Sequence, residues 1–327
     1  MKHLICAHHG LVEIAEATPP IINDGDILLR MVACGVCGTD LMKVYDASVR
    51  KPVQLGHEIV GVIAETRHPK FQVGQRVAVA HHAPDYSSHY TKRGSATQDP
   101  VFKASNVSPG GFAEIIRVPA ALVPHTVFTI PDSMPDLRAV FMEPLACCLR
   151  ALQRVPVVAG DTVLLVGAGA VGLLFVPLLR TLGVTVLVSD VRDERVELAR
   201  QWGAETGDAK HHSAGRGADL VILTVVNDAT LELAFNQVRD GGTIIPFGVK
   251  PDMTPLVDLW QMYRREISLI TSYSATPEGL AEAMTLLARP GFELEKMVSH
   301  RFSLEKAAAG FELMHLAKAS KVIIQQA

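Results

Sequence analysis

The pattern of hydrophobic and polar positions changes once along the chain, near Pro144. Before that point, short apolar or alternating runs are interrupted by Gly, Pro or Asp, which is typical of strands joined by turns. These runs are ILLRMVAC, EIVGVIAE, QRVAVAHH and AEIIRVPAALV. Few stretches there show sustained helical periodicity, and we therefore predict a mostly β domain.

After Pro144, helix-like and strand-like segments alternate. LACCLRALQRV predicts a helix, and the strands TVLLVG, VTVLVSD and DLVILTVV are each followed by a helical pattern before the strand TIIPFG. This alternation predicts a parallel sheet with right-handed crossovers. Beyond residue 272, PEGLAEAMTLLARPG and LEKAAAGFELMHL predict amphipathic helices, and KVIIQ predicts a short closing strand.

Composition and charge exclude some classes of partner. The 327 residues suffice for two domains, and 48% hydrophobic with 20% charged residues is an ordinary soluble composition. The net charge of −3 provides no basic excess for nucleic acid or anionic lipid. Five cysteines are too few for a disulfide framework, and the first residues lack the apolar segment of a secretory signal, so we expect a cytoplasmic protein.

The segment VGAGAVG places Gly167, Gly169 and Gly172 between an apolar strand and an apolar helix, and Asp190 ends the next strand. This is the dinucleotide-binding fingerprint, in which the glycines allow a tight turn, close approach of the pyrophosphate and close helix packing. The acid accepts hydrogen bonds from the ribose and repels a 2′-phosphate, which favours NAD over NADP. Basic residues nearby, Arg192 and Arg195, soften that preference.

Two alternatives apply to the same stretch. It could be a glycine-rich turn without a ligand, although its strand and helix context disfavours that interpretation. The uncharged run over residues 162–179 is also about long enough for a membrane span. Pro177 should lie inside the predicted helix and kink it.

Cys34 and Cys37 stand in a C-x-x-C spacing within VACGVCGTD. A structural zinc knuckle would need a second ligand pair, which the adjacent Cys147 and Cys148 do not supply. A redox pair stays open but lacks support. We favour a small buried apolar role for Cys34, which leaves Cys37 as the candidate for chemistry.

Ligand-type residues elsewhere complete a candidate metal set with Cys37. His57 and Glu58 precede an apolar strand in GHE, and Glu143 lies in the apolar stretch FMEPLACC. Thiolate, imidazole and carboxylate suit zinc, and three protein ligands with one open position characterise a catalytic site. The alternatives are a core histidine at His57 and, at Glu143, a cap for a helix that begins at Pro144.

The motifs CGVCGTD, GHE, DPVFKASNVSPGGFAEIIRVP, EPLACC and VGAGAVG occur in this order. The chain resembles the zinc-dependent medium-chain dehydrogenase/reductase (alcohol dehydrogenase) family, on its sorbitol and threonine dehydrogenase branch. The resemblance implies an α/β protein with a GroES-like, mostly β catalytic domain over 1–145, completed by 275–327. It also implies a Rossmann NAD-binding domain with a doubly wound parallel sheet over 146–274, and a zinc site in the cleft between the domains.

The resemblance assigns roles by position. The cysteine before G-[ST]-D is Cys37, the next zinc ligand is His57, and Glu58 either ligates or sits just behind the metal. Glu143 matches the acid that ligates zinc or holds its water, and Thr39 matches the hydroxyl that contacts the substrate oxygen and passes its proton on. The candidate cofactor-binding residues are Gly167, Gly169, Ala170, Val171, Gly172, Asp190, Arg195, Val225 and Phe247.

The chain departs from the family pattern at two places. Met42 occupies the position of a relay histidine, so the proton would leave through water or the nicotinamide ribose. Relatives also bind a structural zinc through four cysteines, at whose places this chain has Asp85, Ser88, Thr91 and Asp99. We therefore expect no structural zinc. The alternative is another metal site formed by the aspartates Asp85 and Asp99 with His81, His82 and His89.

The resemblance predicts an NAD-dependent zinc dehydrogenase, and a homodimer or homotetramer. It would interconvert a secondary alcohol (a polyol, sugar, aminocyclitol or amino alcohol) and its ketone by hydride transfer. Two alternatives remain: a zinc-free reductase of the quinone oxidoreductase type, and a non-catalytic nucleotide-binding or sensor protein.

Overall fold

The computed structural model of the protein describes residues 1–251 and 253–326. The strands are β1 (Lys2–His8), β2 (Leu11–Glu16), β3 (Ile27–Gly35), β4 (Glu58–Thr66), β5 (Arg76–Val79), β6 (Ile115–Val118), β7 (Val127–Thr129), β8 (Thr162–Val166), β9 (Thr185–Ser189), β10 (Ala218–Leu223), β11 (Val238–Pro246), β12 (Ser268–Leu269), β13 (His300–Ser303) and β14 (Val322–Gln325).

The α-helices are α1 (Gly38–Tyr45), α2 (His89–Lys92), α3 (Pro100–Ala104), α4 (Val123–Thr126), α5 (Asp136–Ala139), α6 (Met142–Gln153), α7 (Ala170–Thr181), α8 (Asp193–Gln201), α9 (Ala209–His212), α10 (Asp228–Gln237), α11 (Leu259–Arg265), α12 (Pro277–Leu287) and α13 (Ala307–His315). Short 3₁₀ turns cover Ala96–Gln98, Leu294–Met297 and Leu304–Lys306.

The chain forms two compact units, 1–146 with 275–327 and 147–274. The first unit contains a sheet in the order β13-β14-β3-β4-β5-β7, with β6 also paired to β3. Its pairs are antiparallel except β13 with β14. β1 and β2 form a separate antiparallel pair. This is the GroES-like β architecture that the resemblance implies.

The centre of this sheet is β3, whose alternate residues Ile27, Leu29 and Met31 are fully buried. The alternation places these side chains in one core with Phe112 and Phe311. β3 and β4 are neighbours in antiparallel register, with Gly35 opposite Glu58. The residues just after β3 are therefore held beside those at the start of β4.

The second unit is a parallel sheet in the order β12-β11-β10-β8-β9. All five residues of β8 are buried, as expected for a strand covered on both faces. The direction in which successive strands are added to the sheet reverses after β9, so that β10 lies on the other side of β8. The carboxyl ends of β8 and β10 thus form the switch point at which doubly wound sheets bind nucleotides.

The uncharged run over residues 162–179 folds as β8, a glycine turn and most of α7. Among the described residues, no helix is long and apolar enough to cross a membrane. Pro177 lies inside α7, as predicted. The expected helix start at Pro144 is wrong, because α6 begins at Met142. A proline in the first helical turn removes an amide that would have no intrahelical partner, so the helix can begin before it.

Candidate functional site

Three ligand-type residues converge in the first unit. Atoms of Cys37, His57 and Glu58 that can bind a metal all lie within 4.8 Å of one another. Cys37 precedes α1, while His57 and Glu58 lie at the start of β4. His57 and Glu58 are buried, and Cys37 is partly exposed. The register between β3 and β4 therefore assembles a thiol, an imidazole and a carboxylate from two separate segments.

A fully buried aspartate, Asp40, fixes the two segments relative to each other. Its Oδ2 accepts a hydrogen bond from the Cys37 amide at 3.1 Å, and its Oδ1 accepts one from the Gly56 amide at 2.9 Å. The same Oδ1 lies 3.5 Å from Nδ1 of His57. Burial would raise the pKa of Asp40, but the neighbouring His57 and the backbone amide lower it. Asp40 thus stays ionised and orients both ligand residues.

Glu58 is paired with a cation from the C-terminal part of the chain. The ammonium of Lys321 contacts Oε2 of Glu58 and donates a hydrogen bond to the carbonyl of Val36 at 3.3 Å. Lys321 is only 4% exposed. Burial would lower the pKa of this ammonium, but the charges of Glu58 and Cys37 raise it. A buried ammonium whose pKa is raised therefore lies against the candidate metal ligand Glu58.

The local environment fits a metal cation. Oε1 of Glu58 is buried and makes no hydrogen bond with the described residues, while Nδ1 of His57 faces the Asp40 carboxylate at 3.5 Å. Burial would lower the pKa of His57, but Asp40 and Cys37 hold it well above its ordinary value. The protein thus favours positive charge at this point. A thiolate, an imidazole and a carboxylate are donors that zinc accepts in proteins.

Other predicted residues of this site take different positions. Thr39 is exposed in the first turn of α1, and Met42 lies one turn further along. Glu143 is buried in the first turn of α6, and the cluster of three ligand residues does not include it. The ring of His81 lies 4.9 Å from that of His57, centre to centre.

Asp40, Lys321 and His81 were not assigned to the site from the sequence. The sequence held a signal for Asp40: in a capping box, the acid three residues after the N-cap residue, here Cys37, faces back toward it. Nothing in the segment around Lys321 indicates its partner, because Glu58 lies 263 positions away.

The glycine turn after β8 has the geometry of a nucleotide-binding loop. Gly167 has a φ of +95°, which side-chain-bearing residues rarely adopt. A Cβ on Gly172 would lie 2.0 Å from the carbonyl oxygen of Gly167, so helix and turn pack as the fingerprint requires. Ala170 and Val171 open α7, whose N-terminal amides can face a phosphate.

Asp190 stabilises this loop from the end of β9. Its Oδ2 accepts a hydrogen bond from the Ala168 amide at 2.7 Å, and its Oδ1 accepts one from the Arg192 amide at 3.0 Å. A guanidinium nitrogen of Arg195 lies 3.8 Å from Oδ2. The carboxylate is therefore fixed beside the glycine turn, with a cation next to it.

Val225 and Phe247 follow β10 and β11, on the same edge of the sheet as the glycine turn. Thr224 joins these segments, since its hydroxyl donates to the carbonyl of Gly167 at 2.9 Å. Phe247 packs edge-on against Phe175 of α7, with ring centres 5.2 Å apart. The predicted cofactor-binding residues thus lie along the carboxyl ends of adjacent strands.

The family resemblance matches four positions of this chain to zinc-binding cysteines: Asp85, Ser88, Thr91 and Asp99. They lie in a segment that we call the lobe, residues 83–105. Asp99 is its centre: Oδ1 accepts hydrogen bonds from the amides of Asp85, Val101 and Phe102 at 2.9 to 3.1 Å. Ser88 caps α2 and donates to the Thr91 hydroxyl at 3.1 Å. Among the described residues, those of the lobe bring no three metal-binding atoms within 4.8 Å of one another.

Comparisons with known proteins agree with this geometry. Residues 23–132 match the alcohol dehydrogenase GroES-like domain, and residues 170–289 match the zinc-binding dehydrogenase family. D-altritol 5-dehydrogenase of Agrobacterium fabrum is 30% identical, over 91% of each chain. Sorbitol dehydrogenase of Ovis aries is 27% identical, over 99% of this chain and 96% of its own.

A solved structure is also similar. A protein described as a zinc-binding dehydrogenase, from Sinorhizobium meliloti 1021 with NADP bound, superposes with a TM-score of 0.87. It is 27% identical, and the match covers 99% of this chain and 98% of that one.

Proposed function

Since the chain belongs to the zinc-type medium-chain alcohol dehydrogenase family, on its sorbitol dehydrogenase branch, we propose that it interconverts a secondary alcohol of a polyol-like substrate and the corresponding ketone. The observation that carries this proposal is the convergence of Cys37, His57 and Glu58 within 4.8 Å. The same chain holds a complete dinucleotide-binding turn, which supplies the second requirement of a dehydrogenase.

The chain's own residues divide the work. Cys37 and His57 would hold zinc, with Glu58 or Glu143 as the carboxylate partner, and Asp40 would keep the first two in place. A bound zinc supplies Lewis acidity, which lowers the pKa of an alcohol and polarises a ketone. Thr39, exposed in the first turn of α1, would accept the hydroxyl proton of the substrate and pass its own proton on to water or to the coenzyme ribose. A nicotinamide coenzyme held at the glycine turn of Gly167, Gly169 and Gly172 would supply the hydride acceptor or donor for this reaction.

We further propose one zinc per subunit. The lobe lacks the four cysteines that the family resemblance associates with a structural zinc. Hydrogen bonds from three backbone amides to Asp99 would hold the segment together instead. A carbonyl, amide or hydroxyl network needs no ion for that purpose.

For the coenzyme, we propose NAD in preference to NADP. The carboxylate of Asp190, fixed beside the glycine turn, would accept hydrogen bonds from the ribose hydroxyls and repel a 2′-phosphate. Arg195 at 3.8 Å weakens that repulsion, so the preference should be moderate. NADP in the Sinorhizobium neighbour shows that this architecture accepts the phosphorylated coenzyme elsewhere.

The remaining proposals concern the substrate and assembly. Dehydrogenases of sorbitol and D-altritol among the relatives favour a polyol. Self-association into a dimer or tetramer is supported by the edge strand β12 and by Leu259, Trp260 and Tyr263 of α11, which are 68 to 77% exposed. Five free cysteines fit a reducing, cytoplasmic compartment.

The test combines metal analysis with a substrate screen. Zinc per subunit is measured by elemental analysis, and coenzyme reduction is followed with sorbitol and other polyols, using NAD and NADP in parallel. We expect about one zinc, polyol-dependent reduction of NAD, and loss of both zinc and activity in Cys37→Ser. Cys34→Ala is the matched control and should keep its zinc.

Three outcomes would contradict the proposal. Zinc-free protein that reduces quinones would indicate the zinc-free reductase class. Coenzyme binding without turnover of any alcohol would indicate a sensor. Two zinc ions per subunit would show that the lobe binds metal.

A further inference from the structure

We propose that Lys321 is a positioning residue of the metal site, which competes with zinc for the carboxylate of Glu58 and thereby weakens Glu58 as a ligand. This inference rests on the proposed function, because it concerns the same zinc. It assigns to the C-terminal segment a role in setting metal affinity and coordination.

The first argument is the division of the Glu58 carboxylate between two environments. Oε2 contacts the ammonium of Lys321, while Oε1 is buried and makes no hydrogen bond with the described residues. A buried carboxylate oxygen without a partner costs free energy that a nearby cation would recover. Glu58 therefore has one oxygen bound to a fixed cation and another available at the cluster with Cys37 and His57.

The second argument is the confinement of Lys321. Its Nζ has the Glu58 carboxylate, the Val36 carbonyl and the face of Phe141, whose ring centre is 5.6 Å away, as its neighbours. The carboxylate is the only anion among these three. A buried ammonium cannot release its counter-ion cheaply, so Lys321 should retain Glu58 against a competing zinc ion.

The third argument is that the backbone accommodates this pair. β14 and β4 both pair with β3, where Gly35 lies opposite Ile323 on one side and opposite Glu58 on the other. A Cβ on Gly35 would lie 1.8 Å from Oε2 of Glu58. Only glycine leaves the path between the carboxylate and the ammonium open, so the contact is part of the fold.

The expected consequence follows from charge. With Lys321 in place, zinc meets a Glu58 carboxylate whose charge the ammonium already neutralises, so that Glu58 attracts the ion less. Without that charge, Glu58 is free to enter the coordination sphere, and zinc should bind more tightly. The site would then bind zinc more tightly, but Glu58 would occupy the open coordination position that a catalytic zinc needs.

The test measures zinc affinity by competition with a chromophoric chelator, and coordination by the visible spectrum of the cobalt-substituted protein. We expect Lys321→Met to raise zinc affinity about tenfold and to change the cobalt spectrum, a size typical of residues that contact metal ligands. Lys321→Arg should remain close to wild type in both measurements. Lys306→Met, an exposed lysine of the same segment, is the control and should change neither.

Two further variants make the inference decisive. Lys321→Gln keeps a hydrogen-bond donor and should shift affinity in the same direction if Lys321→Met does not fold. In a Glu58→Gln background, Lys321→Met should no longer raise zinc affinity. An unchanged or lower affinity on removal of the charge, or a rise that persists without Glu58, would overturn the inference.

The proposed function fails in a different way. If wild-type protein binds no zinc at all, the metal assignment itself is wrong. If wild type binds zinc and oxidises polyols while Lys321→Met and Lys321→Gln behave like wild type, only the role of Lys321 is wrong.

Discussion

The candidate metal cluster of Cys37, His57 and Glu58 and the lobe are each organised by a buried aspartate, but the two aspartates have different roles. In the cluster, Asp40 accepts hydrogen bonds from the amides of Cys37 and Gly56. The side chains of Cys37, His57 and Glu58 nearby can bind a metal. In the lobe, Asp99 accepts hydrogen bonds from three backbone amides, and oxygen-bearing side chains stand at the four positions that the family resemblance matches to zinc-binding cysteines. Hydrogen bonds can replace a metal that only ties chain segments together, but they cannot replace a Lewis acid.

The two aspartates differ in what their hydrogen bonds serve. Asp40 sits between two ligand residues and faces the imidazole of His57 at 3.5 Å, so its carboxylate sets ligand orientation. Asp99 is the N-cap residue of α3, and the Oδ1 atom that accepts from the first amides of this helix also accepts from the Asp85 amide. Its carboxylate therefore closes a loop. Loss of the first should therefore change metal binding, and loss of the second should change stability alone.

The largest effect is expected from Asp40→Asn. The side-chain amide would present a donor where one of the two backbone amides, Cys37 or Gly56, needs an acceptor, and the charge facing His57 would vanish, so zinc affinity should fall 10- to 100-fold. Zinc retained after dialysis against a graded chelator series measures the effect. Asp46→Asn, a change of a partly exposed aspartate at the end of the same helix, is the control. Equal zinc retention in the two variants would contradict the assigned role of Asp40.

A smaller effect is expected from Asp99→Ala. Three amides, of which that of Phe102 is buried, lose their acceptor, which should lower the free energy of unfolding by about 1–3 kcal/mol. Urea denaturation measures this, while zinc content and activity per zinc should remain at wild-type values. Asp85→Ala should cost much less, because the Asp85 carboxylate accepts hydrogen bonds from the amide and hydroxyl of the exposed Ser87. Loss of a zinc ion in Asp99→Ala would show that the lobe binds metal.

Local motifs predicted the glycine turn and Asp190 as candidate cofactor-binding residues, whereas the choice of Cys37 and His57 as candidate metal ligands also needed the family resemblance. The glycine turn, Asp190, and the pair Cys37 and His57 lie next to strand ends that the hydrophobic pattern already marked. The α/β architecture followed from the alternation of segments and the family resemblance. The short helix α1 was not predicted, because its eight residues follow a strand directly and give little helical periodicity.

Residues whose role depends on distant partners could not be predicted. In the sequence, Lys321 is a polar residue at the start of a predicted strand, with no sign of its partner. The pairing of β14 with β3 brings it to Glu58. The choice between Glu58 and Glu143 as a metal ligand also depends on tertiary distances. The cluster within 4.8 Å includes Glu58 and not Glu143.

The smallest expected effect is a dependence of lobe stability on acid. Burial would raise the pKa of Asp99, but the Ser88 hydroxyl and the backbone amides lower it below the ordinary value of 3.8. A carboxyl with a lower pKa in the folded state contributes stability that is fully present above the ordinary pKa and is lost as pH falls through the folded-state value. The stability gap between wild type and Asp99→Ala should therefore stay constant from pH 7 to about 5, and shrink below about 4. Urea midpoints of both proteins across this range measure the gap. A gap that widens on acidification would mean that Asp99 acts through its protonated form, and that the lobe is not held by a charged acceptor.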